Sequence, residues 1–193
     1  MARVREFDTE AAVDAALEAF RTHGYEGTSI QDLVDATGVG RGSLYAAFGN
    51  KEGLYRVALD RYRTQYALPL ADLLQQGVPL REMVREMLVA AIDQIAADGN
   101  HRACLVVGAA MERAGHDPEV AGRLRETVTS LEESLTEVLV AGQERGELDA
   151  ATDPRAVARF LVTTLQGLRV MGAIDPDRGS LLAAAEVALT CLR

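Results

Sequence analysis

A tight glycine turn between two short amphipathic segments constrains the fold of this sequence most. Residues 38–40 read Gly-Val-Gly, and Thr28 or Ser29 is placed to cap a helix before them. A second short helix is predicted from about Arg41 to Phe48. Glycine at position 38 permits a positive φ, which lets the second helix fold across the first. The pattern predicts a helix-turn-helix.

The two segments divide into an inward and an outward face. Their apolar residues can close a small core with the preceding helix: Ile30, Leu33, Val34, Val39, Leu44 and Phe48. The second segment leaves a small, polar and cationic face exposed: Gly40, Arg41, Gly42, Ser43, Tyr45 and Ala46. Such a face fits the DNA major groove. A helical hairpin without any DNA role has the same geometry, so spacing alone leaves both interpretations open.

The rest of the chain also has helical signals. Ala, Leu, Glu and Arg dominate its 193 residues, and alternating β-branched runs are missing. Gly24 is expected to end the first helix, and Asp117-Pro118 and Asp153-Pro154 are typical helix starts. We therefore expect an all-α fold of about nine helices, over about 8–23, 28–37, 41–48, 51 onward, 80–97, 102–113, 118–145, 154–171 and 178–192.

Several function classes are disfavoured by the sequence. It has no run of 18 apolar residues and no signal-peptide pattern at its start, so we expect a cytoplasmic protein without a membrane partner. His23, His101 and His116 are scattered, and no HExxH or GxSxG pattern occurs, so no catalytic site, metal or cofactor is predicted. The net charge of −9 opposes DNA binding, but residues 1–63 hold only 10 of the 29 acidic residues.

A longer pattern surrounds the glycine turn, in order and with matching spacing: Phe20, Gly24-Tyr25, Thr28-Ser29-Ile30, Leu33, Ala36-x-Gly38-Val39, Gly42-Ser43-Leu44-Tyr45, Phe48, Lys51-Glu52 and Leu54. Residues 8–60 thereby resemble the DNA-binding domain of the TetR/AcrR family. The resemblance implies a three-helix DNA-binding domain over residues 1–50 and a helical ligand-binding and dimerisation bundle over residues 51–193. It implies a repressor that binds a palindromic operator as a homodimer and is released by a small molecule.

The resemblance also implies DNA-binding residues: Thr28, Arg41, Gly42, Ser43, Tyr45 and Lys51. Tyr45 and Lys51 match phosphate contacts, and Thr28 matches a hydroxyl residue whose side chain or backbone N–H reaches phosphate at a helix N-terminus. Arg41 is the candidate for a base contact, because arginine pairs bidentately with guanine.

Two positions depart from the family pattern, and an arm precedes it. Gly40 stands where Ser or Thr is common, and Ala46 stands where a polar residue is common. Direct base contacts are therefore expected to be few, with more weight on phosphates and DNA shape. Arg3 and Arg5 are candidates for a flexible arm that reaches phosphate or the minor groove.

The C-terminal part resembles the family in architecture, with one closer match at residues 102–112, which in a subgroup open the sixth helix beside the ligand cavity. Candidate pocket residues are Tyr66, Met83, Met87, Cys104, Val107, Met111 and Phe160. Plain core packing is the alternative for each. Cys104 has a further one: near His101 and Arg102 at a helix start, it is a candidate sensor thiol.

The last two helices are expected to form the dimer. Apolar residues recur at helical spacing along 157–171 and 181–189, and the resemblance implies a four-helix bundle between two copies. Two alternatives stay open. An enzyme lacks a recognisable catalytic set here. A helical interaction module that has lost specific DNA binding agrees with the acidic charge and Ala46.

Overall fold

The computed structural model describes residues 7–67, 78–97 and 104–192, with no side-chain detail for 66 and 67. These ranges hold nine α-helices and no strand, which confirms the all-α prediction: α1 Thr9–Gly27, α2 Ile30–Thr37, α3 Arg41–Phe48, α4 Lys51–Tyr62, α5 Leu80–Ala97, α6 Leu105–Glu112, α7 Pro118–Glu144, α8 Pro154–Ile174 and α9 Arg178–Ala188. A π-helical turn, Arg63–Ala67, follows α4, and a 3₁₀ turn, Leu189–Cys191, follows α9. The predicted start of α6 at residue 102 lies outside the described residues.

Side chains that accept backbone N–H groups begin most of these helices. Asp8 caps α1, and Ser29, the second of the two candidates, caps α2. Ser29 forms a reciprocal capping box with Asp32, in which each side chain accepts the other residue's N–H. Asp153 and Asp177 cap α8 and α9. These short-range signals explain why the predicted starts agree with the structure.

Gly24 breaks α1 where the sequence predicted its end. Its φ is +73°, a conformation that L side chains rarely adopt, and it interrupts the helix although helical structure resumes up to Gly27. The chain therefore changes direction before Tyr25.

The chain folds into two compact units. The first holds residues up to 65 together with 103–124, and in it α1 packs on α2, α4 and α6 while α3 packs on α2 and α4. Its buried core includes Leu17, Phe20, Leu33, Leu44, Leu54, Tyr55 and Leu105. The second unit holds 66–102 and 125–193, where α5, α8 and α9 pack together around Met87, Leu88, Leu135, Leu161, Leu165 and Leu189.

These packing units do not coincide with the functional domains of 1–50 and 51–193 expected from the sequence. The reason is that α1 needs α4 and α6 to bury its apolar stripe, so both join the first unit. The functional boundary at residue 50 stays a prediction.

Helix α8 combines a buried and an exposed apolar face. By length and composition it could cross a membrane, and 44% of its most apolar 18-residue window is buried inside the structure. Leu161, Leu165 and Leu168 supply the buried stripe. Since a core helix passes the same test, the composition of α8 is explained by its packing.

Gly53 closes the turn between α3 and α4. A Cβ built on Gly53 would overlap the backbone carbonyl oxygen of Phe48, whereas Gly42 on α3 has open space around it. Asn50 holds the same turn, since its side chain accepts the Gly53 N–H at 2.8 Å. The last residue of α3 and the first turn of α4 are thus in direct backbone contact.

We expect Gly53→Ala and Gly42→Ala to change stability in opposite directions. The Gly53 substitution forces the backbone apart and should lower the free energy of unfolding by about 1–3 kcal/mol. The Gly42 substitution adds a methyl group in open space and should raise it by up to about 1 kcal/mol. Urea unfolding followed by circular dichroism measures both. Equal effects would contradict this account of the turn.

Asp117 begins α7 and is almost fully buried. Its Oδ1 accepts the N–H groups of Glu119 and Val120 at 3.1 Å, and its Oδ2 accepts Arg113 Nη2 at 3.1 Å. Burial by itself raises the pKa of the Asp117 carboxyl, but the bonds from Val120 and Arg113 outweigh it and hold that pKa well below its ordinary value. The ionised form is therefore favoured by folding.

Acid should remove the contribution of Asp117 to stability. Because its folded pKa lies below the unfolded value of about 3.9, that contribution is complete above about pH 5 and is lost as pH falls towards the folded pKa. We expect the free energy of unfolding to fall less steeply below about pH 4 in Asp117→Asn than in the wild type. Denaturant titrations at several pH values test this, with Asp35→Asn as the charge-matched control. Parallel curves for Asp117→Asn and wild type would refute the assignment.

Candidate nucleic-acid interface

The outward face of α3 carries the predicted recognition residues. Arg41, Gly42 and Tyr45 are exposed and Ser43 is half-buried, while Leu44 is buried. The helix begins at Gly40, which offers no side-chain cap, as its sequence departure implied. The eight residues of α3 therefore present a small face with one guanidinium and two hydroxyl groups, which suits a major groove.

The backbone on both sides of α3 holds this face in place. Gly38 has φ +67° and its N–H donates to Val34 O at 2.9 Å, which ends α2. The Thr37 hydroxyl oxygen accepts the Val39 N–H at 3.2 Å within the turn. Gly49 ends α3 with φ +79°. Positive φ at Gly38 confirms the turn predicted from the sequence.

Lys51 begins α4 and lies on an aromatic ring. Its Nζ is 4.2 Å from the centroid of the Tyr25 ring, and the guanidinium carbon of Arg113 is 4.3 Å from the same centroid. Tyr25 in turn packs edge-on against Tyr55, with 4.8 Å between ring centroids. Partial burial lowers the pKa of the Lys51 ammonium, and nearby Glu26 partly offsets that effect. The electron-rich face of the Tyr25 ring attracts the Lys51 ammonium and the Arg113 guanidinium through cation–π interactions.

Glu112, at the end of α6, binds the backbone beside that ring. Its Oε2 accepts the Tyr25 N–H at 2.7 Å and the Glu26 N–H at 3.2 Å. A Cβ on Gly24 would overlap the Glu112 carboxylate. We call Tyr25, Lys51, Glu112 and Arg113 the Tyr25 cluster. This cluster was not predictable from the sequence. The expected end of the helix at Gly24 implies N–H groups that need acceptors, but no neighbouring residue identifies an acceptor 87 residues away.

Thr28 follows the end of α1, and its polar groups bind the backbone of that helix. Its side chain is fully buried, and its hydroxyl donates to Gly24 O at 2.6 Å. Its N–H donates to Tyr25 O at 3.4 Å. In this conformation the threonine hydroxyl satisfies the carbonyl that the break at Gly24 leaves, which disfavours a phosphate contact through the side chain. The phosphate contact of Thr28 stays a prediction.

The candidate ligand residues are divided between the two compact units. Cys104, Val107 and Met111 belong to the first, and Tyr66, Met83, Met87 and Phe160 belong to the second. Met83 and Met87 are buried in the core of their unit. Met111 is 83% exposed and Phe160 is 48% exposed. These last two side chains lie on the surface of the single chain, and their assignment to a ligand pocket stays a prediction.

Cys104 stands at the N-cap position of α6 and is buried. The hydroxyl of Tyr62 donates to its Sγ at 3.3 Å. Both observations agree with the packing interpretation, and the sensor hypothesis stays a prediction. The neighbours invoked for it, His101 and Arg102, lie outside the described residues, as do Arg3 and Arg5 of the predicted arm and the side chain of Tyr66.

Comparison with known proteins adds to this geometry. Residues 12–58 match the family described as bacterial regulatory proteins, tetR family, and residues 81–187 match the tetracyclin repressor-like C-terminal domain. The HTH-type transcriptional regulator YezE of Bacillus subtilis is 30% identical over all 193 residues and its own full length. The HTH-type transcriptional repressor ComR of Escherichia coli is 31% identical over 99% of this chain and 90% of its own.

A solved structure shows the same fold. A cysteine-substituted form of the regulator CifR, in complex with 26-base-pair double-stranded operator DNA, superimposes with a TM-score of 0.89 at 35% identity and covers 100% of both chains. With both domains matched in order, the chain belongs to the TetR family of helix-turn-helix transcriptional regulators and is not an enzyme.

Proposed function

We propose that this protein is a cytoplasmic repressor that binds a palindromic operator as a homodimer, through α3, and that a small molecule releases it. The observation that carries the proposal is the outward face of α3, where Arg41, Gly42 and Tyr45 are exposed. Buried Leu44 and the glycine turns fix the orientation of this face. A surface of this size and polarity lies in a major groove without steric conflict.

The relatives support the DNA part of the proposal. A cysteine-substituted form of CifR has a solved structure in complex with operator DNA, and ComR and BdcR of Escherichia coli are repressors by name. For this chain we assign Tyr45 and Lys51 to phosphate contacts, and Arg41 and Ser43 to the groove. Release by a small molecule rests on the tetracyclin repressor-like C-terminal domain.

An interaction module without specific DNA binding is the second candidate. The net charge of −9 favours it, because DNA repels an acidic protein. The two candidates differ in one measurable property, the enrichment of a defined duplex.

We expect the purified protein to enrich a palindromic duplex from a random DNA pool. Arg41→Ala should then cost about 1–3 kcal/mol of binding free energy and relax the preference at one base pair of each half-site. Arg125→Ala makes the same change in charge at an exposed arginine of α7 and is the matched control. A folded dimer that enriches no duplex at low salt would favour the interaction module.

Lys51→Ala should weaken binding to all duplexes by a similar factor. Loss of a phosphate contact lowers the salt slope of log K by about one per contact, hence about two per dimer. Tyr45→Phe removes a hydroxyl and should cost about 0.5–1.5 kcal/mol per site. Fluorescence anisotropy over a salt series measures both effects. An unchanged salt slope in Lys51→Ala would remove Lys51 from the interface.

Exposed apolar side chains on the last two helices support the homodimer. Met171 and Ile174 of α8 are 55% and 69% exposed, and Val187 of α9 is 70% exposed. They add a second apolar face to helices whose first face fills the core of the second unit. A contiguous patch of exposed apolar side chains on neighbouring helices is typical of a protein interface. In an isologous dimer, both copies of each of these side chains would be buried at the interface.

Val187→Glu should weaken the dimer by at least about tenfold, because each interface would then hold two copies of a desolvated carboxylate. Val140→Glu on α7 introduces the same charge at an exposed valine outside these helices and should leave the dimer intact. Sedimentation equilibrium gives the dissociation constants. A dimer that resists Val187→Glu would place the interface elsewhere.

A further inference from the structure

The Tyr25 cluster links the end of α6 to a residue of the proposed DNA interface. Glu112 holds the N–H groups that follow the break at Gly24, at 2.7 Å and 3.2 Å. A carboxylate that accepts two N–H groups fixes them more firmly than a neutral acceptor would. The position of Tyr25 therefore depends on a side chain from another helix.

Arg113 fixes the same ring from the next position in the chain. Its guanidinium lies 4.3 Å from the Tyr25 centroid, and its Nη2 donates to Glu52 Oε1 at 3.0 Å and to Asp117 Oδ2 at 3.1 Å. Glu52 is the neighbour of Lys51 on α4. The end of α6 is thus bound both to the ring and to the first turn of α4.

These contacts fix the position of the ring on which the Lys51 ammonium lies. Its ammonium is 4.2 Å from the Tyr25 centroid, and the side chain is half-buried. A lysine side chain has four flexible bonds and loses rotamer entropy when it binds phosphate. The cation–π contact with the Tyr25 ring restricts the ammonium already in the DNA-free protein. An arginine at position 51 would place a planar guanidinium on the ring instead of a compact ammonium. Lys51 is also the only lysine of the chain.

We propose that Glu112 and Arg113 are positioning residues for operator binding, which act by holding the Tyr25 ring under the Lys51 ammonium. The proposal rests on the assignment of Lys51 to phosphate made above. It gives the end of α6 a role in the affinity for DNA although neither residue belongs to α3 or to its turn.

The sole lysine permits a test that needs no DNA. Reductive methylation with ¹³C-formaldehyde labels Lys51 and the N-terminus only, and methyl groups over an aromatic face resonate upfield. Tyr25→Leu provides the position of the signal without the ring. We expect Glu112→Ala to move the Lys51 signal most of the way to that position. Glu112→Gln should leave it near the wild-type position, because the amide oxygen accepts the same N–H groups.

The control for net charge is Glu82→Gln on α5, whose side chain is exposed. It should leave the signal and the fold unchanged. Circular dichroism confirms that each variant is folded. A Lys51 signal that stays at the wild-type position in folded Glu112→Ala would overturn the proposal, independently of the measured affinity for DNA.

Binding to the enriched duplex supplies the second test. Glu112→Ala should weaken binding about three- to tenfold and lower the salt slope by about two per dimer, as Lys51→Ala does. In the Lys51→Ala background it should add less than about twofold, since residues that act through one contact are not additive. Full additivity, or a loss without a change in slope, would overturn the positioning role. If Lys51→Ala itself binds as the wild type does, the proposed interface fails instead, and the NMR result still reports on the cluster.

Discussion

The break of α1 at Gly24 is the constraint on which the DNA-binding part depends. A positive φ ends the regular helix and leaves backbone groups without helical partners. Two side chains satisfy them: the Thr28 hydroxyl binds the Gly24 carbonyl, and the Glu112 carboxylate binds the N–H groups of Tyr25 and Glu26. The first bond sets the path of the chain into α2, and the second fastens α6 to the same turn. One backbone irregularity therefore fixes the relation of three helices.

Features set by neighbouring residues could be predicted from the sequence. The start of α2 at the Ser29 capping box, the positive φ of Gly38 and the bounds of α3 depend on residues within four positions of each other. Features that depend on distant residues could not. From the sequence, the hydroxyl of Thr28 is available to a phosphate, but in the structure it donates to the Gly24 carbonyl at the break in α1. Glu112 is one glutamate among many until folding brings it to Tyr25.

The apolar pattern of the C-terminal part shows a related limit. Helical spacing reveals that a residue lies on an apolar stripe, but a helix with two such stripes does not reveal which one faces its own core. On α8, Leu161 and Leu165 are buried while Phe160 and Met171 are exposed. The candidate pocket residues include both kinds, because buried Met87 and exposed Phe160 have the same helical spacing of apolar neighbours. Composition alone cannot separate a cavity wall from a subunit interface.

The excess of carboxylates over cations makes the geometry of the cations at the proposed DNA interface decisive. On α4, Arg56 pairs with Glu52 and Glu119, and Arg61 pairs bidentately with Asp14, so both guanidinium groups are engaged by the protein's own carboxylates. A strongly basic DNA-binding surface tolerates small errors in position, because many charges share the attraction. A DNA-binding surface with few cations is less tolerant, because each misplaced cation removes a larger share of the attraction. A fixed ammonium at the start of α4 is then worth more than a flexible one, since its confinement is already complete in the free protein. The Tyr25 cluster supplies that confinement through Glu112 and Arg113, which lie at the end of α6 and not on α3 or α4.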